Sequence, residues 1–138
     1  MDSVVQRRKI LSDQPFSKPY SIAMSLDLLL TLDTIEVLEN YIDKIRPSEE
    51  LRDQIDIGYK LDNQSIIIFE SRPYFHQPDE RFESAVAKAT FVKAQDHWKV
   101  FWQRSNLKWQ IYAPQPFVKT IDQFVALVEQ DEYYCFWG

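Results

Sequence analysis

One cysteine and two histidines, Cys135, His76 and His97, are the side chains of this sequence best suited to nucleophilic catalysis or metal binding. A cysteine nucleophile needs a neighbouring base, and neither histidine stands in a recognisable pattern with Cys135. Metal ligands usually come in close pairs along a chain, whereas these three residues are widely separated. The residue types therefore predict no catalytic residue, no metal site and no cofactor.

Two groups of carboxylates, at residues 79–83 and 131–132, are the remaining candidates for acid–base chemistry. General acid–base catalysis needs two groups held at a defined separation in a cleft from which water is excluded. Neighbouring carboxylates in a loop or at a helix end are normally solvated. We therefore interpret both groups as surface residues.

Basic and aromatic residues alternate in the second half of the chain. Residues 84–119 carry six basic residues and one acidic residue, a local charge of +5, so the remainder of this −5 chain carries −10. Positive charge interleaved with aromatic rings is typical of surfaces that bind single-stranded nucleic acid. The candidate binding residues are Lys88, Lys99, Phe101, Lys108 and Tyr112. The acidic chain as a whole speaks against this interpretation, because nucleic-acid-binding modules usually carry a stronger basic footprint.

Hydrophobic residues at three- and four-residue steps predict an amphipathic helix across residues 28–45. Arg46-Pro47 ends it, because the residue before a proline is disfavoured in helical backbone. Pro47 then begins a second short helix. Thr120 to Gln123 has the form of a capping box, which predicts a helix near the end of the chain.

From Gln54 the hydrophobic period changes to two, which predicts a five-stranded antiparallel meander. Two-residue turns are expected at Asp62-Asn63, Gln95-Asp96 and Ser105-Asn106, with a longer connection at residues 73–83. Such turns decide which side chains share a face of the sheet.

In the register that these turns predict, Phe91 lies opposite Val100 and Trp102 lies opposite Trp109. The inner face is then expected to carry Ala87, Ala89, Phe91, Val100, Trp102, Trp109 and Ile111. The outer face is expected to carry Ile67, Phe69, Val86, Val92, Phe101 and Tyr112 among Lys88, Lys99, Gln103, Lys108 and Gln110. A half-apolar outer face predicts that an N-terminal arm, the aromatic tail or a second copy of the chain covers part of it.

Composition limits the class of protein. A chain of 138 residues with 45% hydrophobic and 14% aromatic residues predicts one folded domain. We assign residues 24–138 to this domain and residues 1–23 to an arm or extension outside it. The chain shows no signal peptide and no apolar run long enough to span a bilayer. We therefore expect a cytoplasmic protein without a membrane partner.

Several motifs occur together in an order that resembles a known family. They are Arg46-Pro47, Ile57-Gly58-Tyr59, the segments 69–73 and 87–90, Trp98 to Arg104, Leu107-Lys108-Trp109 and the ending Asp131 to Gly138. Over residues 25–138 the chain is similar to a bacterial family of uncharacterised proteins, the DUF3024-like domain of unknown function. The resemblance implies no activity. Tyr134 stands where glycine is common in the family, and residues 1–23 extend beyond its pattern.

The sequence thus predicts an α+β fold: N-terminal helices, a five-stranded antiparallel meander, and one C-terminal helix packed on the inner face. The favoured function is interaction with a protein partner, without enzymatic activity, including self-association as a homodimer through the outer sheet face. The first alternative is nucleic-acid or anion binding by the basic and aromatic residues. A weaker alternative is an enzyme with a site near loop 73–83, using Arg72, Arg81 and Glu70 as polar groups.

Overall fold

The computed structural model describes residues 28–138, which form an α+β fold with one antiparallel sheet, as predicted. The predicted arm at residues 1–23 lies outside the described residues. The helices are α1 (Leu28–Ile45), a 3-10 helix η1 (Glu49–Leu51) and α2 (Ile121–Gln130). The strands are β1 (Asp56–Asp62), β2 (Ser65–Pro73), β3 (Arg81–Val92), β4 (His97–Gln103), β5 (Trp109–Ile111) and β6 (Phe117–Val118). Neither helix of the described part combines the length and apolar character needed to cross a bilayer.

The strands β1 to β5 lie side by side in chain order, so the meander is confirmed. The short strand β6 was not predicted. It pairs with β4 beside β5, with Val118 opposite Trp98 and Phe117 opposite Lys99. The backbone of Val100 joins the two pairings, because its N–H donates to Pro116 O at 2.9 Å and its carbonyl accepts from Tyr112 N at 2.8 Å.

The turn between β3 and β4 spans four residues, 93–96, so the predicted two-residue turn was wrong. Phe91 therefore lies opposite Trp98 rather than Val100. Since the difference is a shift of two positions, the side chains of the paired residues 87–92 and 97–102 keep their expected faces.

The turn between β4 and β5 has one residue more than predicted, and this difference exchanges the two faces of β5. Arg104 N donates to Lys108 O at 2.9 Å, and Leu107, with φ 66°, donates its N–H to Arg104 O at 2.8 Å. Phe101 consequently lies opposite Ile111. An odd register shift moves each side chain to the opposite face. Trp109 and Ile111 thus lie on the outer face, contrary to the prediction.

Both helices pack on the inner face of the sheet, where Trp98, Val100 and Phe124 are almost completely buried. Helix α2 begins with the predicted capping box: Thr120 Oγ1 accepts from Gln123 N at 3.3 Å, and Gln123 Oε1 accepts from Thr120 N at 3.2 Å. Such a cap satisfies helix donors that have no partner inside the helix.

A β-bulge corrects one further prediction for the outer face. Ile68 lies opposite Ala87 but Phe69 lies opposite Ala85, so Val86 is the extra residue of β3. The bulge turns Val86 into the core, where it is 5% exposed.

A buried ion pair joins the end of α1 to the first residue of β1. Arg46 Nε and Nη2 each donate to one carboxylate oxygen of Asp56 at 2.8 Å, and their side chains are 3% and 0% exposed. Asp56 Oδ1 also accepts from Ile57 N at 2.8 Å. Bidentate geometry and the extra hydrogen bond help to offset the cost of removing both charges from water.

Removing one partner of this pair is expected to destabilise the fold strongly. Asp56→Ala leaves the Arg46 charge buried, so the free energy of unfolding should fall by about 3–5 kcal/mol. Urea denaturation followed by tryptophan fluorescence measures the change. Lys44→Ala, which breaks the exposed Lys44–Glu129 pair, should cost less than about 1 kcal/mol. Equal effects of the two substitutions would contradict the structural role of the buried pair.

The last seven residues fold back onto the side chain of Asp131, which follows α2 in left-handed backbone with φ 42°. Its carboxylate oxygens accept from Phe136 N at 3.0 Å and from Trp137 N at 2.9 Å. Tyr134, at the position where the family pattern has glycine, also has a left-handed backbone with φ 59° and donates its N–H to Asp131 O. One carboxylate thereby positions the aromatic tail.

Neutralising this carboxylate should loosen the tail. Asp131→Asn suits the left-handed backbone but loses the charge and one acceptor, so the expected cost is about 2 kcal/mol. Amide hydrogen exchange at Phe136 and Trp137 should accelerate as well. The exposed neighbour provides the control Glu132→Gln, for which neither quantity should change. Unchanged exchange in Asp131→Asn would show that the tail is held by other contacts.

Candidate functional site

The outer patch is the surface of strands β3 to β6 that faces away from the two helices. Its members, read from the register, are Lys88, Thr90, Val92, His97, Lys99, Phe101, Gln103, Trp109, Ile111 and Phe117. None of these positions carries a carboxylate. The patch therefore combines two lysines with four aromatic rings, including the imidazole of His97, and several apolar side chains on one sheet face.

Lys88 holds its ammonium over two rings of the patch. Its Nζ lies 4.7 Å from the ring centroid of Phe101 and 4.7 Å from that of Trp109. Phe101 is the cross-strand neighbour of Lys88, and Trp109 comes from the next strand. Each such cation–π contact contributes about 0.5–2 kcal/mol. Burial lowers the pKa of Lys88, while the Asp62 carboxylate opposes this shift.

A second aromatic pair lies further along β4. The rings of His97 and Phe117 stack with centroids 4.4 Å apart and planes 23° apart. Phe117 is 42% exposed, so one side of this pair is open to solvent. Lys99 stands between the two aromatic groups, because His97, Lys99 and Phe101 alternate along one face of β4.

Three of the five predicted binding residues, Lys88, Lys99 and Phe101, lie together on this patch. Lys108 precedes β5 and is exposed in the turn, outside the patch. Tyr112 does not lie on the outer face: it is 2% exposed and its ring packs 4.9 Å from that of Phe136 in the core. Burial accordingly raises the pKa of Tyr112.

The position predicted for Tyr112 was wrong because the turn before β5 was counted one residue too short. Because of the same error, Trp109 and Ile111 were predicted on the inner face, although they lie on the outer face. The residue type of Asn106 could have indicated the longer turn, since its side-chain Oδ1 accepts from Lys108 N at 3.0 Å and closes that turn. Phe117 was missed because β6 has only two residues and follows a proline.

The region around loop 73–83 is occupied by structural contacts. Arg81 donates to Ser71 Oγ and Ser71 O at 2.9 Å each, and also to the carbonyls of Arg52 and Asp53. These bonds tie the end of β2 to the segment that follows η1. Arg72 pairs with Glu70 at 3.2 Å on the surface. All three polar groups suggested for an enzyme site therefore have protein partners.

An open groove of about 570 Å³ separates the exposed edges of α1 and α2. Its lining includes the side chains of Asp33, Glu36, Asp122 and Glu129, with Lys44 bound to Glu129 at 2.8 Å. Burial raises the pKa of Tyr41, also in the lining, to about 12, and Glu129 adds to this shift. The groove thus holds neither a thiol nor an imidazole, and its tyrosine stays protonated at neutral pH.

The chemically reactive residues remain apart. Burial and the nearby Asp131 charge raise the pKa of the Cys135 thiol, whereas a cysteine nucleophile needs a lowered pKa. His97 stacks on Phe117, and His76 lies against Phe75 in the β2–β3 loop. Within residues 28–138, no three His, Cys, Asp or Glu side chains converge as metal ligands.

The position of Lys88 over two rings has a direct spectroscopic consequence. Ring currents should shift the Lys88 Hε proton resonances upfield from those of a solvated lysine. Trp109→Leu should remove a large part of this shift, since Trp109 supplies one of the two rings over which the Lys88 ammonium lies. NMR with side-chain assignment measures it, and Phe75→Leu, in the distant loop, should change nothing. Lys88 resonances at solvated values would contradict the contact.

One of the comparisons with known proteins identifies a family, and none names an activity. The family model described as a domain of unknown function, DUF3024, matches residues 29–138. No curated protein and no solved structure matches the chain. The match covers most of the chain, including both helices, the whole sheet and the aromatic tail. The chain therefore belongs to the DUF3024 family of domains of unknown function.

Proposed function

We propose that this chain is a binding protein without enzymatic activity, and that its outer patch binds single-stranded nucleic acid. The observation that carries the proposal is the composition of the patch: Lys88 and Lys99 lie beside the aromatic groups of Phe101 and Phe117, and no carboxylate shares these strand positions. A single strand presents phosphates and flat bases, which are the partners of ammonium groups and aromatic rings.

The distribution of charge favours this ligand over a second copy of the chain. A two-fold symmetric dimer through the outer patch would bring Lys88 and Lys99 of one copy towards the same residues of the other. Like charges that face each other across an interface are unfavourable. Self-association through this face, the function favoured on sequence, therefore becomes the second candidate.

The acidic remainder of the chain does not prevent binding at moderate salt. The acidic side chains described above line the groove between α1 and α2, on the helix side of the sheet. At about 0.1 M salt the Debye length is about 10 Å, so exposed charges on the far side of the domain are largely screened. The lysines of the patch lie in direct reach of a bound strand.

The numbers of lysines and aromatic rings in the patch determine the expected salt dependence and affinity of binding. Two lysines neutralise about two phosphates, so the logarithm of the association constant should fall with the logarithm of salt concentration with a slope of about −1.4. Affinity should then weaken about sevenfold between about 50 and about 200 mM salt. Stacking contributes about 1–3 kcal/mol per base and supplies most of the remaining affinity.

Fluorescence anisotropy of a labelled oligonucleotide of about ten nucleotides tests the proposal, with thymidine DNA and uridine RNA as parallel probes. Phe101→Leu keeps an apolar side chain but removes a stacking ring, so affinity should fall about fivefold or more. Phe75→Leu is the matched control, because Phe75 is 91% exposed in the β2–β3 loop, outside the patch. Thermal denaturation establishes that each variant is folded.

Two outcomes would overturn the proposal. One is the absence of salt-sensitive binding to either probe at about 50 mM salt. The other is a dimer in sedimentation experiments that Phe101→Leu dissociates and that the oligonucleotide does not. The second outcome would assign the patch to self-association instead.

A further inference from the structure

The Lys88 ammonium covers the ring faces to which a base would bind. Its Nζ lies 4.7 Å from both centroids, so the faces of Phe101 and Trp109 that it covers cannot accept a base while it stays there. A base can stack on these faces only after the ammonium has left them.

The surroundings of Lys88 decide where the ammonium can go. Of the charged groups near it, the Asp62 carboxylate at the β1–β2 turn attracts it. The neighbouring positions across the sheet are Ile67 and Phe101, which offer no charge. A strand that brings a phosphate to the patch supplies a new anionic partner at the place where its base needs the rings.

From this arrangement we infer that Lys88 acts as a lid that makes the patch selective for charged strands over uncharged aromatic ligands. The inference rests on the proposed function. When a charged strand displaces the Lys88 ammonium from the rings, one of its phosphates provides a new partner for that ammonium. An uncharged ligand breaks the same cation–π contacts but offers the ammonium no new partner. Lys88 is thus a specificity-determining residue in addition to a phosphate contact.

Lys99 offers a matched comparison, because it lies on the same face and carries the same charge but does not cover the rings of Phe101 and Trp109. Lys88→Ala and Lys99→Ala each remove one phosphate contact. Both variants should therefore reduce the salt slope from about −1.4 to about −0.7.

The affinities of the two variants should differ under conditions in which the attraction between lysines and phosphates is weak. At high salt, Lys88→Ala should bind thymidine DNA more tightly than Lys99→Ala, because no side chain then covers the rings of Phe101 and Trp109. An uncharged peptide nucleic acid of the same sequence isolates this effect. Its affinity should rise about twofold to thirtyfold in Lys88→Ala, the range of one cation–π contact, and stay unchanged in Lys99→Ala.

Anisotropy titrations of both probes over a salt series distinguish the outcomes. Identical behaviour of the two variants, with the expected slope in the unmodified protein, would overturn the lid and leave the proposed function standing. No binding of DNA by any form would remove the proposed function and the lid together. A gain of peptide nucleic acid binding confined to Lys88→Ala would support the lid, provided that thermal denaturation shows both variants equally folded.

Discussion

The turn at residues 104–108 is the constraint on which the outer patch depends. Its two backbone hydrogen bonds hold three residues in the loop and force Leu107 into left-handed backbone with φ 66°. A non-glycine residue in that conformation costs about 1 kcal/mol or more, and the hydrogen bonds of the turn offset this cost. Because side chains alternate along a strand, the length of the turn alone decides that Trp109 joins Lys88 outside while Tyr112 enters the core.

The remainder of the fold keeps the sheet rigid enough to present that surface. The Arg46–Asp56 pair connects α1 to β1, and Arg81 connects the end of β2 to the segment after η1. On the inner side, Trp98 fills the space beneath the helices. The buried ion pair and Arg81 thus join elements, whereas Lys88 and Lys99 lie on the outer patch, where we propose that they contact a ligand.

Sequence reasoning predicted most of the fold, because the elements other than β6 have strong local signals. The periodicity of α1, the capping box at Thr120 and the alternation in the strands all led to the elements that the structure contains. The errors arose at turns, where Leu107 has no residue-type signal for positive φ and one extra residue exchanges two faces. Strand β6 depends on pairing with Trp98 and Lys99 of β4, which are distant in sequence, so no local pattern could reveal it.

The lengths of the turns also explain which residues of the candidate site were predicted on the correct face. Lys88, Lys99 and Phe101 were placed together because β3 and β4 shifted by an even number of residues. Tyr112 and Trp109 exchanged places because the next shift was odd. The cation–π contacts of Lys88 require the positions of three strands at once, which no single segment of the sequence specifies.

The division of one edge of β4 between β5 and β6 affects how copies of this protein can meet. Each of these short strands ends before it could serve as a template for a long hydrogen-bonded ladder, and the prolines at 114 and 116 lie between them. Short, interrupted edges discourage the strand-by-strand growth that leads to fibrils. At this end of the sheet, crowding of the protein at high concentration is therefore expected to favour contacts between surfaces over continuation of the sheet from one molecule into the next.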